Sequence, residues 1–416
     1  MNLARNIKFQ RALKSALILA MASVLGACAT YQNELQSSID ELRNGRPSAA
    51  AEKLKPKAEK DGDDQVVYLF EYGTALSLAK DYKASNKIWL QAEDATAIKD
   101  YHSISRLTGS LLLNQGMVQY KGEDYEKVFL NAMLAINFLA MGEREAAQVE
   151  TRKLNEKLYK YKFEAKKDYQ QNPFAFYLSA MIWESNRQWD DAYIDYKKAY
   201  ETNPGIAYLK TDLVRLAKLA HREDDLAKWK KNFGAVKVED MKGKGEVVLL
   251  FQQGWAPRKY PHPEWPRIPK LYPVATNTQG ARLVIDNVGE EPAQEISSVQ
   301  QVAMKTLDDE YTALVATRAA GIAAKAVAAD QIRQKNELLG QLAWIGMNIA
   351  DRADLRQWVT LPQSFQVARK LLPPGKYVAR AVGTTMTGQP SGEQSEDFTI
   401  EIKPNQKIFI PWRSLR

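Results

Sequence analysis

The feature that most limits how this chain can fold is a repeated pattern of small and large residues between residues 31 and 233. A small residue is followed by an apolar or aromatic residue after three positions, a second small residue after twelve and a large residue after sixteen. Apolar residues in this region recur at helical spacing, and Gly, Asn or Asp stands at the breaks. Such repetition is typical of helical arrays in which each unit buries its apolar face against the next. We therefore predict a helical array.

The repeated pattern resembles that of tetratricopeptide (TPR) units, which are pairs of antiparallel helices. The copy that matches best covers residues 176–204, two weaker copies precede it, and a degenerate copy is predicted at residues 38–54. A closing helix pair is predicted at residues 208–233. Small side chains let the two helices approach closely, and large ones fill the groove between units. The positions that carry the pattern are Gly73, Trp89, Ala135, Ala147, Phe176, Ala180, Trp183, Ala192, Tyr196 and Pro204.

The spacing between copies departs from a regular TPR array. Gly73, Ala135 and Ala180 are separated by 62 and 45 residues, whereas TPR units usually repeat after about 34 residues. The helices are therefore expected to be lengthened or interrupted.

The second half of the chain has a different pattern, which begins after the glycines at residues 243 and 245. Strands are predicted at residues 246–252, 281–287, 364–370, 375–382, 397–402 and 407–411, and a helical insert at about 302–352. One helix of that length would measure about 75 Å, so a hairpin broken near residues 330–336 is expected. The predicted fold class is α plus β, with a TPR-like α-solenoid at residues 28–234 and a β-sandwich-like domain at 235–416.

The N-terminal segment has the pattern of an export signal. Four cations, at positions 5, 8, 11 and 14, precede an apolar run at residues 16–25. This run is about half the length needed to span a membrane. Leu25, Gly26 and Ala27 before Cys28 resemble a bacterial lipobox, and the resemblance implies a signal peptide at residues 1–27 and lipid (palmitate-type acyl chains) on Cys28. The alternative is a secreted protein with a cysteine there by chance.

The lipobox resemblance also predicts a location. Three acyl chains exceed the two signals needed for stable anchoring, so the mature chain is expected to stay on a membrane. Ala29, rather than Asp, follows the cysteine, which resembles the outer-membrane pattern, with the protein facing the periplasm. The formal charge of +8 falls to +4 without the four signal cations. A nucleic-acid partner is therefore not expected.

The composition argues against most catalytic centres. One Cys and three His leave too few ligands for a Cys/His metal site, and no phosphate-binding glycine motif occurs. We therefore predict no enzyme activity, no metal and no cofactor. A glycan-active enzyme of the envelope stays open as an alternative, because paired carboxylates need no fixed spacing along the chain. The candidate carboxylates are Asp308, Asp309, Glu310, Asp351 and Asp354.

Two segments rich in Trp, Arg and Pro are candidates for a partner surface, namely residues 254–259 and 353–362. Their candidate residues are Trp255, Arg258, Arg356 and Trp358. The alternative is that the tryptophans fill the core and the arginines pair with internal acids. The segment around Trp344 is expected to pack in the core or on a partner. A second alternative has this hairpin entering lipid, as in an accessory of an outer-membrane pore or secretion complex.

Together with the lipobox, the segments at residues 172–184, 254–259 and 353–358 resemble an uncharacterised family of proteobacterial TPR-containing outer-membrane lipoproteins. Members of that family are associated with lipoproteins similar to penicillin-binding-protein activators. The resemblance implies a setting in cell-envelope assembly and carries no catalytic residues. We therefore expect a scaffold that binds another envelope protein.

Overall fold

A computed structural model describes residues 30–103, 119–161, 172–236, 238, 241–337, 339–341, 344 and 353–416. The lipobox and Cys28 lie outside the described residues, as do Asp351 and most of the chain that follows the long insert helix. The described chain combines helices in its N-terminal part with sheets in its C-terminal part.

The N-terminal part forms successive pairs of antiparallel helices. Each helix packs on the one before it and the one after it along the chain, as in a TPR array. The helices are α1 (Thr30–Arg43), α2 (Pro47–Ala58), α3 (Gln65–Leu78), α4 (Tyr82–Ser103), α5 (Asp124–Ala140), α6 (Arg144–Tyr159), α7 (Pro173–Ser185), α8 (Trp189–Thr202), α9 (Tyr208–Leu219) and α10 (Glu223–Phe233).

The small residues of the repeated pattern lie where two helices of a pair approach. Gly73 on α3 lies against the indole of Trp89 on α4, and a β-carbon at this glycine would overlap that ring. Ala135 and Ala147 are fully buried, as are Ala180 and Ala192 in the pair α7/α8. Phe176, Trp183 and Tyr196 are also buried, whereas Pro204 is exposed after α8. Helix α4 is 22 residues long, which accounts for part of the wide spacing between copies.

The C-terminal part contains two main sheets and a small hairpin. One sheet has the order β11-β1-β7-β6, the other has the order β10-β8-β4-β5 with β9 paired to β8, and β2 pairs with β3. The strands are β1 (Gly245–Gln253), β2 (Arg258–Pro261), β3 (Pro269–Tyr272), β4 (Gly280–Ile285), β5 (Gly289–Pro292), β6 (Gln294–Ser298), β7 (Ser364–Leu372), β8 (Gly375–Thr384), β9 (Pro390–Gln394), β10 (Phe398–Ile402) and β11 (Lys407–Arg413).

Strand β1 is buried along its whole length because both of its faces are covered. Val247, Leu249 and Phe251 share an apolar cluster with β4, β8 and β10 of the other sheet. Val248 and Leu250 belong to the cluster that contains the helices. Since alternate side chains of a strand point to opposite faces, the β1 sheet is a middle layer between the helical pairs and the second sheet.

The insert begins with one long helix, α11 (Val299–Lys335), of 37 residues. At about 1.5 Å per residue it is about 55 Å long. It ends at Asn336, and a β-carbon on Gly340 would overlap the backbone of Arg333, so the chain folds back at this point. Among the described helices, α11 is the one that is long and apolar enough to cross a membrane, and 17% of its most apolar window is buried.

Candidate functional site

Three of the four residues predicted as a partner surface are buried and the fourth is half-buried, so the prediction of an exposed surface is wrong. Trp358 has no exposed surface, and Trp255 and Arg356 are 2% and 5% exposed. Arg258 is half-buried. Tryptophan and arginine often form contact surfaces between proteins. In this protein they hold the C-terminal part of the chain against its own helices.

Trp358 is the centre of this internal contact. Its ring is stacked on Phe70 of α3 with 4.8 Å between centroids, and Trp89 of α4 meets it edge-on at 5.7 Å. Its Nε1 donates a hydrogen bond to Oγ1 of Thr74 at 2.8 Å. Trp358 therefore fills a site between the two helices of one repeat, and its single polar atom is satisfied there.

Two buried glutamates of the helical part bind the backbone beside Trp358. Glu71 accepts hydrogen bonds from the Val359 amide at 2.6 Å and from the Thr360 hydroxyl at 2.5 Å. Glu126 accepts one from the Trp358 amide at 2.6 Å. Burial raises the pKa of Glu71 to about 8, and burial together with the Glu123 carboxylate raises that of Glu126 to about 7.

The raised pKa of Glu71 predicts a pH-dependent contribution to stability. Between about pH 4.5 and 8 the folded chain holds a proton on Glu71 that the unfolded chain has released, so this contribution is full below that range and is lost as the pH rises through it. We expect Glu71→Gln to accept from the Val359 amide through Oε1 and to donate from Nε2 to the Thr360 hydroxyl, and to reduce the fall in unfolding free energy between pH 5 and pH 8. Urea unfolding of both proteins at the two pH values measures this difference. Equal falls in both proteins would contradict the assignment.

A second internal contact is a cluster of buried charges shared by α7, α9 and the β1 sheet. Arg369 of β7 pairs with Asp212 at 2.6 Å and with Glu246 at 2.7 Å. Lys407 of β11 pairs with Glu246 and, at 3.3 Å, with Glu184. Arg215 pairs with Glu184 and with Asp212. Each charge of the cluster therefore has an opposite charge in contact, as buried charges require.

Further contacts continue along the same face of the helices. Phe365 of β7 is stacked between Phe174, at 4.2 Å, and Phe129, at 5.4 Å. Arg356 pairs with Asp354 at 2.7 Å and with Asp64 at 2.9 Å. In repeat arrays the inner face is the usual binding surface, but here α3, α5, α7 and α9 use it to bind the β1 sheet and the loops beside it.

The exposed part of α11 and of the chain that follows it is the candidate interaction site. Four large apolar side chains are exposed there, and we call them the hairpin surface: Val327 (60% exposed), Ile332 (39%), Leu339 (51%) and Trp344 (37%). The cations Arg318 and Lys325 are buried and do not interrupt this surface. A group of large exposed apolar side chains is typical of a binding site.

Four of the five carboxylates considered for glycan chemistry lie in the described part of the chain, three of them consecutively on α11. Asp308 and Asp309 are exposed on α11, Glu310 is half-buried, and Asp354 is held by Arg356. Glu184 and Glu246 line one cavity. Burial alone would raise the pKa of both glutamates. The cations Arg215 and Lys407 outweigh burial at Glu184 and lower its pKa. Arg369 and Lys407 outweigh burial at Glu246 and lower its pKa to about 2. A glycosidase general acid needs the opposite shift.

The described part of the chain contains no metal site built from His, Cys, Asp or Glu side chains. No set of three or more His, Cys, Asp or Glu residues within it is placed to hold a metal ion. His262 accepts two backbone hydrogen bonds from Glu264 and Trp265 through Nδ1. His221 lies in the turn between α9 and α10, and the side chain of His102 lies outside the described residues.

Sequence reasoning missed the residues that hold the two parts together, above all Glu71, Glu126 and Arg369. One signal was available for the glutamates. Each lies in a strongly apolar helix, and all of Val66–Phe70 before Glu71 is buried. A carboxylate in such a helix needs an internal partner, but its position along the chain does not say which one.

Known proteins resemble about half of this chain, and only in solved structures of low identity. No family model matches the chain, and no curated protein matches its sequence. A tetratricopeptide repeat protein from Parabacteroides merdae ATCC 43184 is 16% identical over 49% of this chain, with a TM-score of 0.32, and the match spans 64% of that structure. MamA from Desulfovibrio magneticus RS-1 is 16% identical over 49% of this chain and 90% of its own, with a TM-score of 0.31.

A third similar structure, a Podosopora anserina putative kinesin light chain with TPR-like repeats, is 10% identical over 49% of this chain and 97% of its own, with a TM-score of 0.32. Two of these three structures are described as having tetratricopeptide or TPR-like repeats, and each match covers about half of this chain.

Proposed function

We propose that this chain is a lipid-anchored scaffold of the outer membrane that faces the periplasm, and that it binds another protein of the cell envelope through the hairpin surface. One observation carries the proposal: the inner face of the repeats is buried by the chain's own sheets, whereas large apolar side chains are exposed on the hairpin. The repeats then serve as a rigid base, and the hairpin binds the partner.

The composition of α11 suits contact with another helix. On its exposed side the helix carries mainly small residues from Thr312 to Ala326, followed by Val327. Small side chains allow a second helix to approach closely, and larger side chains nearby supply the buried apolar area. The buried positions of Arg318 and Lys325 leave this side without a charge over that stretch.

The proposed anchor lies next to the helical part. Cys28 is separated from the first residue of α1 by Ala29 alone. Lipid on Cys28 would therefore hold the repeats close to the membrane surface, since two residues span at most about 7 Å. We expect Cys28→Ala to release the chain from the membrane fraction, which fractionation of cells measures. A Cys28→Ala chain that stays membrane-bound would contradict the anchor.

Site-specific crosslinking in living cells tests the hairpin surface. A photo-crosslinking residue in place of Val327 is expected to capture one specific envelope protein. The same residue in place of Met386, which is 86% exposed on the loop between β8 and β9, is the matched control and is expected to capture none. Val327→Asp is expected to weaken binding of that partner about tenfold or more, because it places a charge in an apolar contact.

The outcomes of this experiment separate two candidate functions. The second candidate is that the hairpin enters lipid, and the length and apolarity of α11 favour it. Crosslinks from position 327 to phospholipid, with insertion of the protein into liposomes, would support it and contradict the scaffold. Equal capture from positions 327 and 386 would contradict both.

A further inference from the structure

A cavity of about 880 Å³ lies between the last helix pair, the segment that leads into β1, and the turn before β11. Its size is in the range of sites for small molecules. The hairpin surface contributes none of its residues, so the cavity is a separate feature of the protein.

The walls of the cavity are apolar. Val214 and Leu219 come from α9, Leu226 comes from α10, and Trp189, Val236 and Met241 add to this apolar surface. Ser185, Asn405 and Gln406 are uncharged polar residues of the lining. Its floor is the charge cluster, from which Glu184, Arg215, Glu246 and Lys407 contact the cavity. Every charge of that cluster is already paired, so the floor offers no free charge to a ligand.

Unpaired lysines occupy the rim. Lys218 lies one helical turn beyond Val214, and Lys230 lies one turn beyond Leu226, so each helix gives the cavity an apolar side chain and then a cation on the same side. Lys244 is a third cation at the rim. Within the described residues, the ammonium groups of these three lysines have neither an ion pair nor a hydrogen bond.

We propose that this cavity binds a single-chain anionic amphiphile, an acyl chain with a carboxylate head. The chain would lie along the apolar walls, where each buried methylene contributes about 0.8 kcal/mol. The head would lie at the rim among Lys218, Lys230 and Lys244. The walls offer apolar contact and no free charge, and the rim above them carries unpaired cations. This arrangement suits an amphiphile, because a uniformly polar anion would gain nothing from the apolar walls.

The probe for this site is dodecanoate below its micelle concentration, titrated into the purified full chain washed free of detergent. We expect saturable binding of one molecule. Dodecyltrimethylammonium has the same chain length and the opposite charge, and we expect it to bind at least tenfold more weakly. The triple variant Lys218→Ser, Lys230→Ser, Lys244→Ser is expected to weaken dodecanoate binding about tenfold and to remove the preference for the anion.

The matched control is the triple variant Lys83→Ser, Lys87→Ser, Lys376→Ser, which removes three exposed cations outside the cavity lining and is expected to bind dodecanoate like the parent. Leu219→Trp fills the cavity from a position that is 40% exposed, so it tests occupancy with little risk to folding and is expected to abolish binding. Equal binding of both amphiphiles, unchanged binding by Leu219→Trp, or the absence of saturable binding would each overturn the proposal.

Discussion

Trp358→Ala is expected to destabilise the protein by about 3–5 kcal/mol. The substitution removes a ring that has no exposed surface, that is stacked on Phe70 and that donates to Thr74. Because the cavity is left between the helical part and the segment before β7, we expect both parts to lose stability together. Urea unfolding followed by far-ultraviolet circular dichroism measures the change without depending on tryptophan fluorescence.

Trp265→Ala is the matched control for this prediction. Trp265 is 57% exposed in the loop between β2 and β3, so its loss is expected to change stability by no more than about 0.5 kcal/mol. If the two variants lost equal stability, the contact at Trp358 would not hold the two parts together. A Trp358→Ala chain that unfolds in two separate steps would show instead that this contact couples two otherwise stable parts.

Arg369→Met is expected to be destabilising by a similar amount, about 3–5 kcal/mol at neutral pH. The cation pairs with Asp212 and with Glu246, and all three groups are buried. Methionine keeps much of the side-chain volume but leaves both carboxylates with one cation fewer. The deficit is expected to shrink as the pH falls towards 4, because burial raises the pKa of Glu246 and the loss of Arg369 removes one of the two cations that lower it, so this carboxylate takes up a proton at a higher pH than in the parent protein. Thermal unfolding at pH 7 and pH 4 measures both effects.

Arg380→Met is the control for Arg369→Met. Arg380 also pairs with two carboxylates, Asp286 at 2.8 Å and Asp397 at 3.0 Å, but at the surface of β8. Exposed ion pairs contribute little because solvent screens them, so we expect a small change that does not vary with pH. A deficit in Arg369→Met that is no larger than in Arg380→Met would contradict the role assigned to the cluster.

Trp358 and Arg369 both lie in contacts between the helices and the C-terminal part of the same chain. The inner face of the helices is covered by the β1 sheet, through Trp358, Phe365 and Arg369. A partner of this protein therefore has to use another surface. The hairpin surface offers several exposed apolar side chains close together, and the cavity near α9 combines apolar side chains with unpaired cations.

Local sequence pattern predicted the helix pairs and six of the eleven strands in the described part of the chain. The spacing of Gly73, Trp89, Ala180 and Tyr196 predicted paired helices, and the structure has α3/α4 and α7/α8 at these positions. A closing pair was predicted at residues 208–233, where α9 and α10 lie. These predictions succeed because periodicity along the chain reports which side chains are buried within a helix or strand.

Only the tertiary structure decided what covers each buried face. A tryptophan such as Trp358 buries the same ring whether its neighbour is another protein or its own α3, and the sequence pattern is identical in both cases. The pairing of Arg369 with Asp212 joins residues 157 positions apart, which no local spacing records. Periodicity determines that a surface is buried, whereas the identity of its neighbour depends on contacts between distant segments. For that reason Trp358 and Arg356 were predicted at a partner surface and lie instead against the chain's own helical part.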